Sequence, residues 1–137
     1  MNVVVDTNVV AYYVLGTEPF AEETKLFWRA VANAYAPSLW AAEFVNVVWM
    51  AVRTGVLPDE EGYQRLHFAA RLRIRSIPIR TVWQGALGRA TKADISVYDT
   101  LFVEVAVRRR LPLVTFDDKV LKAFPDVAHR PASLLGN

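Results

Sequence analysis

The chain has 137 residues, of which 53% are hydrophobic and 22% are charged, with a formal net charge of +2. This composition predicts one globular domain over residues 1–137 and argues against a disordered chain. The absence of cysteine excludes disulfides, thiolate zinc sites and cysteine nucleophiles. Because the sequence shows neither a signal-peptide pattern nor an apolar run of membrane length, we expect a cytoplasmic protein that does not contact a membrane.

The first predicted element is a short buried strand. Val3, Val4 and Val5 form a β-branched apolar run, which is typical of a strand buried on both faces. Asp6 follows directly, and a helix is predicted over residues 9–15, which Asp6 or Thr7 can cap. In open α/β sheets, sites are built at the carboxyl ends of the strands. Asp6 is therefore either a helix cap or a residue of such a site.

Helices and short strands alternate through the rest of the chain. Helices are predicted over residues 20–32, 40–53, 58–72, 82–93, 96–110 and 118–124. Extended segments are predicted at 35–37, within 71–79, at 111–116 and within 126–131, and a loosely held tail follows. Ser96 and Asp99 have the spacing of a capping box. The alternation predicts a three-layer α/β/α fold around a short, mostly parallel central sheet.

The predicted helix over residues 40–53 is apolar on almost every face. Such a helix is buried, either in the core or at a subunit interface. Glu43 is one of its few polar residues, and an unpaired carboxylate in apolar surroundings is costly. Glu43 must therefore be paired, hydrated in a cleft or bound to a cation. The large apolar residues exceed what one small core needs, so we expect some of them to contact a second subunit or a partner. They include Trp28, Trp40, Trp49 and Trp83.

Four acidic residues have positions that allow them to meet at one sheet edge. Asp6 and Asp117 each follow an apolar strand, Asp99 lies in the first turn of a helix, and Glu43 lies near the start of another. Each also has an ordinary explanation as a cap or half of an ion pair. Clustered carboxylates raise one another's pKa unless a cation neutralises them, and Mg²⁺ or Mn²⁺ prefers such oxygen ligands. His67 and His129 lie far from these motifs in the sequence, so no zinc-type site is expected.

Four stretches of the sequence resemble, in order, the signatures of PIN-domain nucleases, and more narrowly those of VapC toxins. They are V-V-D-T-N at 4–8, A-P-S-L-W-A-A-E-F-V-N-V at 36–47, S-V-Y-D-T-L-F-V at 96–103 and P-L-V-T-F-D-D-K-V-L at 112–121. The resemblance implies that the catalytic, metal-binding residues are Asp6, Glu43, Asp99 and Asp117. It also implies a supporting role for Thr115 and for Thr7 or Asn8. Asp118 adjoins Asp117 and is an alternative for the fourth acid.

The activity that this resemblance implies is Mg²⁺- or Mn²⁺-dependent hydrolysis of phosphodiester bonds in RNA by the toxin of a toxin–antitoxin pair. It implies a homodimer and a small antitoxin protein as partners, and it leaves open whether one or two metal ions act. Several arginines are candidate contacts to the RNA backbone, above all Arg73, Arg75, Arg108 and Arg109, and also Arg71, Arg80 and Arg110.

Three alternatives remain. A PIN-fold nuclease in RNA processing has the same acids without a toxin role. A scaffold that binds RNA or protein without cleaving it has no need of four mutually repelling acids. A receiver-type phosphoryl-transfer domain requires a lysine after a late strand, and Lys119 follows Asp117 too closely for that role.

Overall fold

The computed structural model describes residues 1–136 and contains an alternating series of strands and helices. The strands are β1 (Asn2–Val5), β2 (Asn33–Pro37), β3 (Arg75–Ile77), β4 (Leu113–Val114) and β5 (Ala128–His129). The helices are α1 (Thr7–Leu15), α2 (Ala21–Ala30), α3 (Leu39–Arg53), α4 (Asp59–Ala70), α5 (Trp83–Ala93), α6 (Val97–Arg109) and α7 (Asp118–Ala123). Two 3₁₀ turns cover Ile79–Thr81 and Pro131–Leu134.

The five strands form one parallel sheet in the order β3-β2-β1-β4-β5. β1 is central, and Val4 pairs with Tyr35 of β2 and with Leu113 of β4. Val3, Val4 and Val5 are fully buried, as expected for a strand covered by helices on both faces. The predicted three-layer α/β fold is confirmed. Because all the strands run in one direction, the residues that follow them lie at one edge of the sheet and those that precede them at the opposite edge.

The helices cover the sheet with a core of valine and phenylalanine. Phe27, Phe44 and Phe102 are the largest fully buried side chains, and α6 buries every residue from Thr100 to Ala106 against its neighbours. α5 packs on α6, which lies against β1 and β2. This packing fixes the first turn of α6, which contains Asp99, relative to the end of β1. None of the helices within residues 1–136 combines the length and apolarity needed to cross a membrane.

Two expectations about the helices change in the structure. α3 is not buried all round in this chain, because Val45, Trp49 and Met50 are exposed while Phe44 lies in the core. Burial in the core of this chain therefore does not explain its exposed apolar face. Ser96 precedes α6 but makes no capping hydrogen bond with its side chain, so the predicted capping box does not form.

The segment after β5 is not a loose tail as far as residue 136. Pro131–Leu134 forms a 3₁₀ turn, and Arg130 makes an ion pair with Glu23 of α2 at 3.1 Å. The backbone N–H of Ala132 also donates to Glu23 at 2.9 Å. These contacts hold the segment against α2.

One buried carboxylate belongs to the packing of α5 on α6. Glu104 accepts from Arg89 at 2.7 Å and from Arg108 at 2.8 Å. Burial alone raises the pKa of Glu104, but the hydrogen bonds and charges of these two arginines outweigh burial, and the pKa is lowered. Gly85 of α5 lies directly against this carboxylate, so a methyl group there has no room.

Replacing Gly85 by alanine is expected to lower the unfolding free energy by about 1–3 kcal/mol, because the new Cβ forces the Glu104 carboxylate away from its arginines. Gly88→Ala is the matched control in the same helix, where a Cβ meets no atom within 4 Å. It is expected to raise the unfolding free energy by about 0.5–1 kcal/mol, because alanine favours a helix over glycine. Urea unfolding of both variants measures the difference. Equal effects in the two variants would contradict the close packing at Gly85.

Candidate active site

Asp6 lies where β1 ends and α1 begins, and it is both a helix cap and a buried carboxylate. Its Oδ1 accepts from the backbone N–H of Thr7 at 2.7 Å, which caps α1. Its own backbone N–H donates to the carbonyl of Val114 at 2.9 Å, which fixes it against β4. Only 9% of Asp6 is exposed. The two explanations offered by the sequence, cap and site residue, are therefore compatible.

Thr115 joins the end of β4 to the Asp6 carboxylate. Its hydroxyl donates to Asp6 Oδ2 at 2.8 Å and accepts from the backbone N–H of Asp117 at 3.0 Å. Asn8 completes the link, since its amide donates to Thr115 Oγ1 at 3.5 Å and its Oδ1 accepts from the N–H of Phe116 at 3.3 Å. The loop that carries Asp117 is thus held to Asp6 and to the first turn of α1. Thr115 and Asn8, two of the predicted supporting residues, take part in this link.

Thr7 makes a similar hydrogen bond to the carboxylate of Glu43. Its hydroxyl donates to Glu43 Oε1 at 2.7 Å, so the first turn of α1 orients a carboxylate on α3. Glu43 is half-buried and forms no ion pair with an arginine or lysine of residues 1–136.

Asp117 follows the β4 loop and caps α7. Its Oδ1 accepts from the N–H of Lys119 at 2.9 Å. Asp118 is the first residue of α7 and is exposed. The two adjacent acids therefore differ in placement, with Asp117 turned to the site described next.

The four predicted acids line one cleft of about 330 Å³ at the carboxyl edge of the sheet. We call this the acid cleft; its carboxylates are Asp6, Glu43, Asp99 and Asp117. Thr7 and Asn8 also line it, whereas Asp94 and Asp118 do not. Among residues 1–136, no arginine or lysine is part of its lining. The predicted RNA-contact residues Arg73, Arg75, Arg108 and Arg109 therefore lie elsewhere.

One wall of the cleft is apolar. It consists of Ala11, Tyr12 and Leu15 of α1 together with Val47 of α3. Ala11, Leu15 and Val47 were not predicted as site residues, although the helical spacing of the sequence places them beside residues that were. Residues 11, 12 and 15 share a face with Asn8, and Val47 lies one turn after Glu43.

The carboxylates of the acid cleft are electrostatically unfavourable as anions. Burial raises the pKa of Asp6 to about 7, against the hydrogen bonds from Thr115 and Thr7, and the charges of Asp99 and Glu43 add to the rise. Burial also raises the pKa of Glu43 and of Asp99. The charge of Asp117 raises the Asp99 pKa further, and Lys119 opposes it. A cation in the cleft would relieve this repulsion.

The oxygen donors of the acid cleft suit a Mg²⁺-type ion that keeps several of its waters better than an ion held by protein ligands alone. All the donors are carboxylate or hydroxyl oxygens, which Mg²⁺ and Mn²⁺ prefer. Within residues 1–136, no three acidic or histidine side chains are close enough together to hold a metal ion by themselves. Mg²⁺ commonly binds through one or two carboxylates and keeps several waters, so the spread of these acids suits it.

The PIN-domain family model matches residues 3–128. The chain belongs to the PIN-domain family. A relative, ribonuclease VapC3 of Pyrobaculum aerophilum, is 29% identical over 132 residues, covering 91% of this chain and 96% of the relative. The recognition of a VapC-like PIN domain is thereby confirmed.

Solved structures share the fold. The crystal structure of PAE2754 from Pyrobaculum aerophilum aligns with a TM-score of 0.76 and 20% identity, covering 98% of this chain and 96% of that one. A toxin–antitoxin complex from Klebsiella pneumoniae aligns with a TM-score of 0.67 and 17% identity over 94% of this chain and 97% of that one. VapBC2 from Rickettsia felis, bound to a DNA fragment from its promoter, aligns with a TM-score of 0.66 and 15% identity, covering 95% of this chain and 98% of that one.

The raised pKa of Asp6 predicts a specific dependence of stability on pH. Between the ordinary pKa of 3.8 and the folded value of about 7, the folded chain holds a proton that the unfolded chain has lost. The contribution of Asp6 to the unfolding free energy is therefore greatest below pH 3.8 and is lost as the pH rises from there to about 7. Without divalent cations, the unfolding free energy of wild type relative to Asp6→Asn is expected to fall by about 2–3 kcal/mol from pH 5 to pH 8.

Urea unfolding across this pH range measures the difference. Asp118→Asn is the matched control, because it removes an exposed carboxylate that lies outside the acid cleft. A difference between wild type and Asp6→Asn that does not change with pH would show that Asp6 stays ionised throughout.

Proposed function

We propose that this chain is a Mg²⁺- or Mn²⁺-dependent endoribonuclease that hydrolyses phosphodiester bonds in RNA and acts as the toxin of a toxin–antitoxin pair. The observation that carries the proposal is the acid cleft, in which carboxylates from four separate segments face one another without a lining arginine or lysine in residues 1–136. Membership of the PIN family and similarity to a ribonuclease named VapC3 support the same activity.

The charge of the substrate explains why a cation is required. A phosphodiester is anionic, so the acid cleft repels it until a cation changes the sign of the local potential. A bound divalent ion lowers the pKa of a water and stabilises the attacking and leaving oxygens. We assign Asp6 and Asp99 as the principal ligands, with Glu43 and Asp117 contributing directly or through water. The placement of Asp117 in the cleft and of Asp118 outside it favours Asp117 as the fourth acid.

The hydroxyl residues act by positioning these carboxylates. Thr115 holds the Oδ2 of Asp6, and Thr7 holds an oxygen of Glu43. Each hydrogen bond occupies one carboxylate oxygen and directs the rest of the group, as partners of metal ligands commonly do. The apolar wall with Tyr12 offers a surface on which the sugar or base beside the cleaved bond can lie.

The toxin role and the partners rest on the similar proteins. The complex from Klebsiella pneumoniae is a toxin–antitoxin complex, and the Rickettsia felis structure is a VapBC pair. By analogy, we propose a small antitoxin protein as a partner, a homodimer as the state of the toxin, and the cytoplasm as its location. The exposed apolar side chains of α3 are consistent with a protein contact on that face.

The activity is tested with purified protein and labelled single-stranded RNA in Mg²⁺, Mn²⁺ or EDTA. We expect cleavage with either metal, none in EDTA, and a loss of at least about 100-fold in Asp6→Asn and in Asp99→Asn, since even outer partners of metal ligands contribute about 10–100-fold. Asp94→Asn is the matched control, because Asp94 is exposed, lies outside the acid cleft and has a left-handed backbone that asparagine tolerates.

Folded wild-type protein that binds metal and leaves several RNAs intact would favour the scaffold alternative. Cleavage that persists in Asp6→Asn would place the activity in a contaminant or at another site.

The homodimer is tested by light scattering of the purified chain. We expect wild type at twice the 15.4 kDa mass of one chain and Trp49→Glu at the mass of one chain, because a charge on the exposed face of α3 disfavours an apolar contact. Val56→Glu is the control, since Val56 is 71% exposed in the turn after α3. A dimer that persists in Trp49→Glu would exclude this face as the dimer contact.

A further inference from the structure

Three of the arginines that the sequence suggested as RNA contacts converge at the edge of the sheet opposite the acid cleft. Arg71 follows the last residue of α4, Arg75 begins β3, and Arg73 lies between them with a left-handed backbone (φ 53°) that turns the chain into the strand. All three side chains line a cavity of about 530 Å³ together with Trp28 and Asn33, near the start of β2. We call this the arginine cavity.

The arginine cavity carries uncompensated positive charge. No Asp or Glu is among its lining residues in the described part of the chain. None of Arg71, Arg73 and Arg75 forms an ion pair within residues 1–136, whereas Arg89, Arg108 and Arg130 each do. Nine of the twelve arginines form no ion pair within residues 1–136, so what distinguishes this place is that three of them line one cavity.

A fourth arginine adds to the charge beside the cavity. The guanidinium of Arg109 lies 4.5 Å from the centre of the Tyr35 ring, and that of Arg75 lies 5.6 Å from the same centre. Two like charges on one ring repel each other, and an anion between or beside them would relieve that repulsion. Guanidinium groups bind phosphate oxygens in pairs, which makes phosphate a good match for such a set.

From this arrangement, we propose that the arginine cavity is a second RNA-binding site, which holds backbone phosphates remote from the bond that is cut. This inference rests on the proposed ribonuclease function, which supplies RNA as the polyanion. The two sites lie at opposite ends of the parallel strands. The five residues of β2 alone separate the edges by roughly 15 Å, at about 3.3 Å per residue. An RNA that contacts both sites must therefore pass around the side of the domain.

The composition of the cavity favours RNA over an acidic protein. Protein interfaces have an apolar centre. None of the large apolar side chains that the structure exposes between residues 1 and 136 lines the arginine cavity. The large apolar residues of the lining, among them Val31 and Leu72, are partly buried, whereas the three arginines are exposed. Exposed arginines with neighbouring aromatic rings are typical of contacts to nucleic-acid backbone.

The test measures binding of a fluorescein-labelled 30-nucleotide single-stranded RNA in EDTA by anisotropy. Without a metal the acid cleft repels RNA, so binding does not depend on cleavage. The variant is Arg73→Gln/Arg75→Gln, and the control Arg53→Gln/Lys92→Gln removes the same charge from exposed positions outside both sites. We expect affinity about tenfold weaker in the variant, and a salt dependence shallower by about 1.4, since each phosphate contact to a single strand contributes about 0.7 to the slope.

Equal affinity and equal salt slope in the variant and the control would overturn the proposal. Poly-glutamate that displaces the RNA as well as poly-uridylate of equal charge does would also overturn it, in favour of an acidic protein ligand. A failed cleavage assay with intact, arginine-dependent binding would count against the nuclease function alone. If cleavage is observed, the variant is expected to raise KM for the 30-nucleotide RNA and to leave kcat unchanged.

Discussion

The hydrogen bond between the Thr115 hydroxyl and the Asp6 carboxylate is the interaction on which the rest of the acid cleft depends. It links the end of β4 to the end of β1, and the same hydroxyl accepts from the backbone of Asp117. A buried carboxylate is costly, and this bond with the one from the Thr7 N–H offsets part of the cost. Because β1 is central and its Val3, Val4 and Val5 are fully buried, the position of Asp6 is fixed by the hydrophobic core.

α6 shows how a buried acid is treated when its role is structural. Glu104 and Asp99 lie on the same helix and burial acts on both. Two arginines neutralise Glu104 and lower its pKa, whereas Asp99 faces Asp117 and its pKa is raised, with Lys119 as an opposing charge. The difference is one of partners and not of burial. An acid without a full counter-charge in the chain is neutralised either by a proton or by a cation from outside, and the second case is the physical argument for the cation that we propose in the acid cleft.

The sequence predicts the acid cleft well because each acid is tied to a local pattern. Asp6 and Asp117 follow apolar strands, and parallel strands bring such residues to one edge. It predicts α3 poorly, since an apolar helix has the same sequence whether its outer face meets the core or another molecule, and Trp49 is half-exposed here. The unformed cap at Ser96 depends on a side-chain rotamer that the motif does not determine. The position of Arg73 and Arg75 opposite the acid cleft could have been predicted from the sequence, because residues at the start of a parallel strand lie at the opposite edge from those that follow it.

The parallel topology therefore separates acidic from basic residues, and the small net charge of +2 does not reveal this separation. Four acids collect where strands end, and three arginines collect where β2 and β3 begin. An approaching polyanion is attracted to the arginine edge and repelled by the acid edge. In the function that we propose, binding of RNA at the arginine edge needs no metal, whereas its approach to the acid edge does. This division would allow the proposed nuclease to hold RNA with or without a divalent ion and to admit a phosphodiester to the acid cleft only after such an ion has neutralised it.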